Sequence, residues 1–379
     1  MLAAAALVAA SLAACGGGSG SGASSAAPPA AVTPPSTSTR LHPVVIAGAA
    51  TQNNGGDFAD GYGTSARFSN ISGLAVDTTG NIYVADSGNC AIRKITPAGA
   101  VTTLAGSGHC ESWDDTTVPA DGNGQQARFY QLGRLTMGVD GNLYVNDRAE
   151  IRKITPGGSV STLAGIFRPT DPAVDGTGSN ARFQGILDLT AAPDGSLTVV
   201  DYTHSAGLDH NLQPLCTVPN GYNTLRTVSP QGVVTTVAGS SADCDTTKTT
   251  LPLTQASAAR YDQAGNLWFL HLQTLAKLPA GGAAFIVTDA SGQAITNTLP
   301  QGGMEIAPDA SGNLYYRIGS TITKLDASGN RTDVVSSQAN APDAINPDIA
   351  LDAMENLSYA GNHDFLVSLN NQVVKLTLK

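Results

Sequence analysis

Positive charge is scarce in this chain. Lys and Arg total 20 of 379 residues against 30 Asp and Glu, for a net charge of −10. No Lys/Arg patch is visible, which argues against nucleic acid or an anionic membrane surface as partner, because both reward clustered cations. Aromatic residues make up only 5% of the chain, which weakens a carbohydrate-stacking site. Also missing are a GxSxG elbow, an HExxH zinc signature, a P-loop Lys-Ser/Thr and the spaced acids of an EF-hand. Charged residues are 13% of the total while Gly reaches 42, a balance that fits an all-β domain rich in turns.

What is present is a repeat. From Ile71 to Gly106, four apolar, β-branched runs (Leu74 to Asp77, Asn81 to Asp86, Ala91 to Thr96, Ala100 to Ala105) are joined by turns bearing Gly80 and Gly99. Each Gly is expected to take the φ > 0 position of a hairpin. Anchored on the Asn of the first turn, copies occur at 80–86, 141–147, 195–201, 265–271, 312–318 and, more weakly, 355–361. A second anchor agrees: Lys94, Lys153, Thr227, Lys277 and Lys324 each precede a Gly by five residues, and Lys375 would need one beyond the end.

The sixth unit therefore lacks its fourth strand, and Val44 to Gly48 matches Thr102 to Gly106 with no strands before it. A four-stranded unit buries little alone and must stack on its neighbours. The expected fold is all-β, a six-bladed β-propeller closed by the N-terminal strand completing the last blade. An open solenoid of the same units would leave Val44 to Gly48 unpaired.

The units resemble NHL repeats. The likeness runs from about residue 43 onward and is strong in the first three units, with DGxGxxARF at 60–68, 121–129 and 175–183, then GN-[IL]-Y-V-x-D and I-R-K-I-T-P. It fades in units four to six, where Arg93 is matched by Ala276, Thr323 and Val374. The resemblance implies the propeller and a binding surface, and catalysis only in a minority of members.

Residues 1–14 read as an export signal too short to span a bilayer, and Leu12-Ala-Ala-Cys15 resembles a bacterial lipobox with Cys15 as the lipidated residue. By analogy, Gly16 after the Cys favours the outer membrane of a Gram-negative cell. Residues 15–40 form a Gly/Ser/Pro-rich tether, and 41–379 the propeller, which is expected to be monomeric. Export places Cys90, Cys110, Cys216 and Cys244 in an oxidising compartment. Their count allows three pairings; their places in the loops of units one and three select Cys90–Cys110 and Cys216–Cys244.

Both loop types carrying those cysteines emerge on one face of a propeller, together with the insertions His109 to Pro119, Tyr202 to Thr224 and Ser240 to Pro252. Binding belongs there, with Trp113, Tyr202 and Tyr222 as candidate anchors. The Arg and Phe of the DGxGxxARF segments read as a blade-to-blade packing device. Asp86, Asp147 and Asp201, ending second strands, read as acceptors for the backbone of the next loop.

Eight residues before the anchors stand Gly73, Arg134, Asp188, Ala258, Glu305 and Asp348. At a shared register near the channel mouth, Asp188, Glu305 and Asp348 could hold a hard cation such as Ca²⁺, or pair with Arg134. His204, His271 and His363 follow second strands, with His210 nearby, and converging imidazoles could ligate Zn²⁺. The expectation is a lipid-anchored, non-catalytic scaffold presenting a loop-rich face to a protein, peptide or glycan. The alternative is a metal-dependent hydrolase or lyase at the channel mouth.

Overall fold

The computed structural model describes residues 43–50, 58–110, 118–169, 173–203, 222–238, 256–271, 273–296, 305–318, 321–336, 354–361 and 364–377. These form six antiparallel sheets, one per repeat. Blade one holds Ile71–Val76, Ile82–Asp86, Ala91–Ile95 and Ala100–Ala105, in chain order from the channel outward. In the turn after its first strand, Gly80 sits at φ +82°. Asp77 accepts the N–H groups of Thr79 and Asn81 at 2.9 Å each, while the Asn81 amide returns to the second carboxylate oxygen at 2.8 Å. Asp262/Asn266 and Asp309/Asn313 repeat that Asx closure, which is the physical reason for the anchor Asn. Burial opposes ionisation of Asp77, but the bonds from Asn81 and Thr79 together outweigh it and lower the carboxyl to about 2.

The ring closes as expected. The strand Val44–Ala47 pairs antiparallel with Gln372–Thr377, Val44 opposite Lys375 and Val45 opposite Val374, and so becomes the fourth strand of blade six. The Gly48 N–H then donates to the Gly63 carbonyl of blade one at 3.1 Å, and Gly106 repeats this bond to Gly124 between blades one and two. A Cβ at Gly48 would stand 2.5 Å from the Asn371 carbonyl oxygen, so the close approach itself demands glycine.

Blade six corrects one part of the repeat register. Residues 355–361, matched above to second strands, lie in its first strand, Met354–Gly361, and the second is Asp364–Leu369. An alternating apolar run with an Asn has the same period in any strand, so pattern alone could not tell which one it was. The Lys375 anchor holds, on the third strand.

Blades one to three carry an additional two-residue strand each: Gly61–Tyr62, Gly122–Asn123 and Gly176–Thr177. Each lies along the outer strand of its own blade and covers an otherwise open edge. These are the DGxG parts of the repeated segments. The following Phe68, Phe129 and Phe183 are buried in apolar clusters shared with the preceding blade, six, one and two respectively. The expected blade-to-blade packing role is what the phenylalanines perform.

Behind each Phe lies a buried ionic clamp. Arg93 is fully buried; its Nη1 donates to Asp86 at 2.8 Å and to the Arg67 carbonyl at 3.0 Å. Its Nη2 reaches Asp60 and the Ala59 carbonyl, both at 2.7 Å. The guanidinium also lies over the Phe68 ring, 5.1 Å from its centroid. Arg152 with Asp147 and Asp121, and Arg226 with Asp201 and Asp175, repeat the arrangement. Asp86, Asp147 and Asp201 also accept backbone N–H bonds from the segment entering the first strand, as at Ser69, Gln131 and Gln184. The expected backbone partner, the loop after the second strand, is replaced by the segment before the first, and the arginine is a further partner that the sequence did not indicate.

Cys90 and Cys110 are bonded, closing a separation of 20 residues with Cα atoms 4.9 Å apart. Cys216 and Cys244 lie outside the described residues, as do Cys15 and the tether. Two stability effects are expected in chemical denaturation. Arg93→Met leaves Asp86 buried without its cation and should cost about 3–5 kcal/mol, part of it regained on adding Asp86→Asn. Cys110→Ser opens the loop and should cost about 3 kcal/mol.

Candidate functional site

The first strands of the six blades line the central channel, and one register position on each forms a ring. Five members are those expected: Gly73, Arg134, Asp188, Ala258 and Glu305. In blade six the position belongs to Asn356, paired opposite Ser368 as Gly73 is opposite Ala85, and Asp348 lies outside the described residues. The register of blade six explains the substitution.

Arg134 spans the ring from blade two. Its Nη2 donates to Glu305 of blade five at 2.6 Å and its Nη1 to the Asn356 Oδ1 of blade six at 2.6 Å. Asn356 in turn donates to the Ile71 carbonyl and to Ser368, which fixes its amide orientation. On the other side, Asp188 accepts from Arg260 Nη1 at 2.7 Å and from the Leu189 and Ala259 N–H groups. Both described acids of the ring thus carry a guanidinium, the pairing alternative raised from sequence for Glu305. Arg260 had no place in the sequence reading because it lies two residues past the ring position Ala258.

The described residues of the ring offer a hard cation too few oxygens: Asp188 spends both on Arg260 and on the Leu189 and Ala259 N–H groups, and Glu305 keeps only Oε2 beside its bond to Arg134. Among the described residues, no group of three or more His, Cys, Asp and Glu side chains is placed to hold a metal ion. His271 occupies in blade four the place that Asp86 holds in blade one, since it pairs with Ala256 as Asp86 pairs with Ile71. It is buried, which pushes its pKa below the usual imidazole range, and its Nδ1 has no hydrogen-bond partner among the described residues. His204, His210 and His363 lie outside the described residues, so their convergence is not part of the geometry.

Among the described residues, two hollows adjoin the ring. One, of about 320 Å³, lies on the long-loop face between blades two and three, lined among others by Gln131, Arg134, Arg148, Leu187 and Tyr202. Arg148 holds a left-handed backbone at φ +55°, kept there by its N–H to the Gln131 carbonyl and by the Ile186 N–H on its own carbonyl. Tyr202 is tied by its N–H to the Gly185 carbonyl, and Leu187 is exposed. Of the three aromatic anchors expected on this face, Tyr202 lines the hollow. Trp113 lies outside the described residues, and Tyr222 is placed only as backbone, opposite Thr203. The second hollow, about 210 Å³, occupies the channel beyond the ring.

Glu150, where blade two's third strand starts on the long-loop face, is raised to about 7. Burial is the first cause; Arg152, 3.9 Å away, opposes it, and the neighbouring Asp147 and Asp121 add to it.

Residues 68–95 match the NHL repeat family. A 189-residue stretch is 29% identical to Teneurin-3 of Danio rerio, covering 49% of this chain and only 6% of that protein. Among solved structures, an auxiliary nutrient binding protein from Bacteroides ovatus superposes with a TM-score of 0.56 at 11% identity, over 89% of this chain and 76% of that one. A gluconolactonase from Xanthomonas campestris does so with a TM-score of 0.51 at 13% identity, over 92% and 94%. At these identities the likeness establishes the fold, a six-bladed propeller bearing an NHL repeat, and nothing of the chemistry.

The raised Glu150 has a measurable consequence. Its folded-state pKa lies above the ordinary value of 4.5, so the folded protein binds the extra proton between about 4.5 and 7, and stability falls as pH rises through that window. Glu150→Gln should flatten this slope and stabilise the protein above about pH 7 by about 2 kcal/mol, read from denaturant midpoints across pH.

Proposed function

We propose that this propeller is a non-catalytic binding scaffold, displayed from the cell envelope by a lipid on Cys15, which takes a protein, peptide or glycan on its long-loop face. The observation that carries this reading is the hollow between blades two and three. It combines an exposed aliphatic (Leu187), a tyrosine (Tyr202) and guanidinium-bearing side chains (Arg134, Arg148) on a backbone pinned by hydrogen bonds. Rigid placement of a few such groups is what lets a surface bind without losing much side-chain entropy.

The paired state of Asp188 and Glu305 supports binding over metal chemistry at the ring, since each carboxylate already carries a guanidinium. The fold likeness to a nutrient binding protein is in keeping with this reading, and the likeness to a gluconolactonase is the reason to test the alternative. The lipobox-like Leu12 to Cys15, followed by a Gly/Ser/Pro-rich tether, supports outer-membrane attachment in a Gram-negative cell.

The test is affinity capture from envelope extract with the mature domain, run beside Tyr202→Ala and Arg148→Ala variants. Retention of a discrete ligand that falls at least about tenfold with both variants is the expected outcome, each variant removing about 1–2 kcal/mol as an interface anchor does. Capture indifferent to both would remove the hollow from the reading. Stoichiometric Ca²⁺ or Zn²⁺ in the purified protein, lost on Glu305→Gln or His271→Ala, would turn it toward a metal-dependent hydrolase or lyase.

A further inference from the structure

The channel hollow lies on the other side of the ring from the long loops. Its lining follows the first strands downstream of the ring: from Gly73 to Val76, Arg134 to Met137 and Asn356 to Tyr359, with Leu189, Arg260 and Glu305. All of these strands begin at the long-loop face, so the hollow extends toward the face that carries short turns.

Its two ends differ in chemistry. At the ring, among the described residues, two guanidinium groups, Arg134 and Arg260, are bonded to two carboxylates, Glu305 and Asp188. Glu305 is more than nine-tenths buried and spends one oxygen on Arg134. The other, Oε2, is buried without a hydrogen-bond partner, on a side chain that lines the hollow. A buried carboxylate oxygen left unbonded is costly, and a donor at that point relieves the cost. Arg260 commits Nη1 to Asp188 and to the Ala259 carbonyl, and its Nε and Nη2 donors have no hydrogen bond among the described residues. Away from the ring, the wall carries Leu74, Val76, Leu135, Met137 and Leu357, interleaved with Thr136, Ser358 and Tyr359.

The geometry points to a site for a small aliphatic zwitterion, an apolar α-amino acid, with its ammonium on Glu305 Oε2, its carboxylate on Arg260 and its side chain along the leucines. A zwitterion leaves the charge balance of the ring unchanged, whereas a lone cation or anion would bring an uncompensated charge into a confined space. A polyol would bring no charged group to Glu305 or Arg260. The size admits it: a hollow of about 210 Å³ has room for a molecule such as leucine.

Isothermal titration of the purified propeller with free L-leucine tests this, with isoamylamine and isocaproate as probes that each lack one charged group. Saturable leucine binding is expected, with at least about tenfold weaker binding of either single-charge analogue, the loss of one charge-assisted bond. Glu305→Gln should weaken leucine by a similar factor. Val76→Trp, which fills the aliphatic end without touching the ring, should abolish binding while the circular dichroism spectrum of the folded protein is retained. No saturable heat with leucine, equal affinity for the analogues, or leucine binding indifferent to Val76→Trp would each overturn the proposal. The analogue comparison uses the unaltered protein, so it decides even if a variant fails to fold.

Discussion

Three buried guanidinium groups organise half of this molecule. Arg93, Arg152 and Arg226 each join parts of one blade that are far apart in sequence: the carboxylate ending the second strand, the carbonyls entering the first strand, and an Asp on the outer edge. Removing three charges from water is expensive, and only their saturation with several well-placed acceptors offsets it. Such a set forms in one arrangement only. The clamp therefore specifies how the DGxGxxARF segment lies across its blade, and with it where Phe68, Phe129 and Phe183 meet the preceding blade.

Blades four to six manage without this device. Ala276, Thr323 and Val374 stand where the arginines would be, and the edge-covering strand is absent among the described residues of those blades. Blade five substitutes a neutral-to-charged bond, Thr323 to Asp333 at 2.7 Å. What ties the two halves together across the channel is Arg134, bonded from blade two to blades five and six. An ionic group that spans a channel in this way both braces the ring and separates the hollow on the loop face from the one below. The two proposed sites share Arg134 as a wall, yet differ in chemistry because one lies among loops and the other between strands.

Much of the architecture was legible from residue order alone. Six units, the missing fourth strand of the last and the matching run at Val44 to Gly48 determined the closed propeller, because an unpaired strand edge and an unstacked sheet are both unfavourable. The Asp and Asn of the turns and the glycines at positive φ were readable for the same reason: they act locally. The Cys90–Cys110 bond followed from loop positions in the repeat.

Only the tertiary structure could decide the charge pairings. Nothing local links Arg134 to Glu305, Arg260 to Asp188 or Arg93 to Asp60; they meet because blades distant in sequence converge on one axis or because a segment folds back over its own sheet. The same holds for Asn356, whose strand differs from the other anchors although its pattern does not, since alternation with a period of two records which face a residue occupies and not which strand carries it. Sequence thus determined which units exist and how they close, through short-range turn chemistry and repetition. Which acids stay available for a ligand was decided by which cations the closed ring brought within hydrogen-bonding reach.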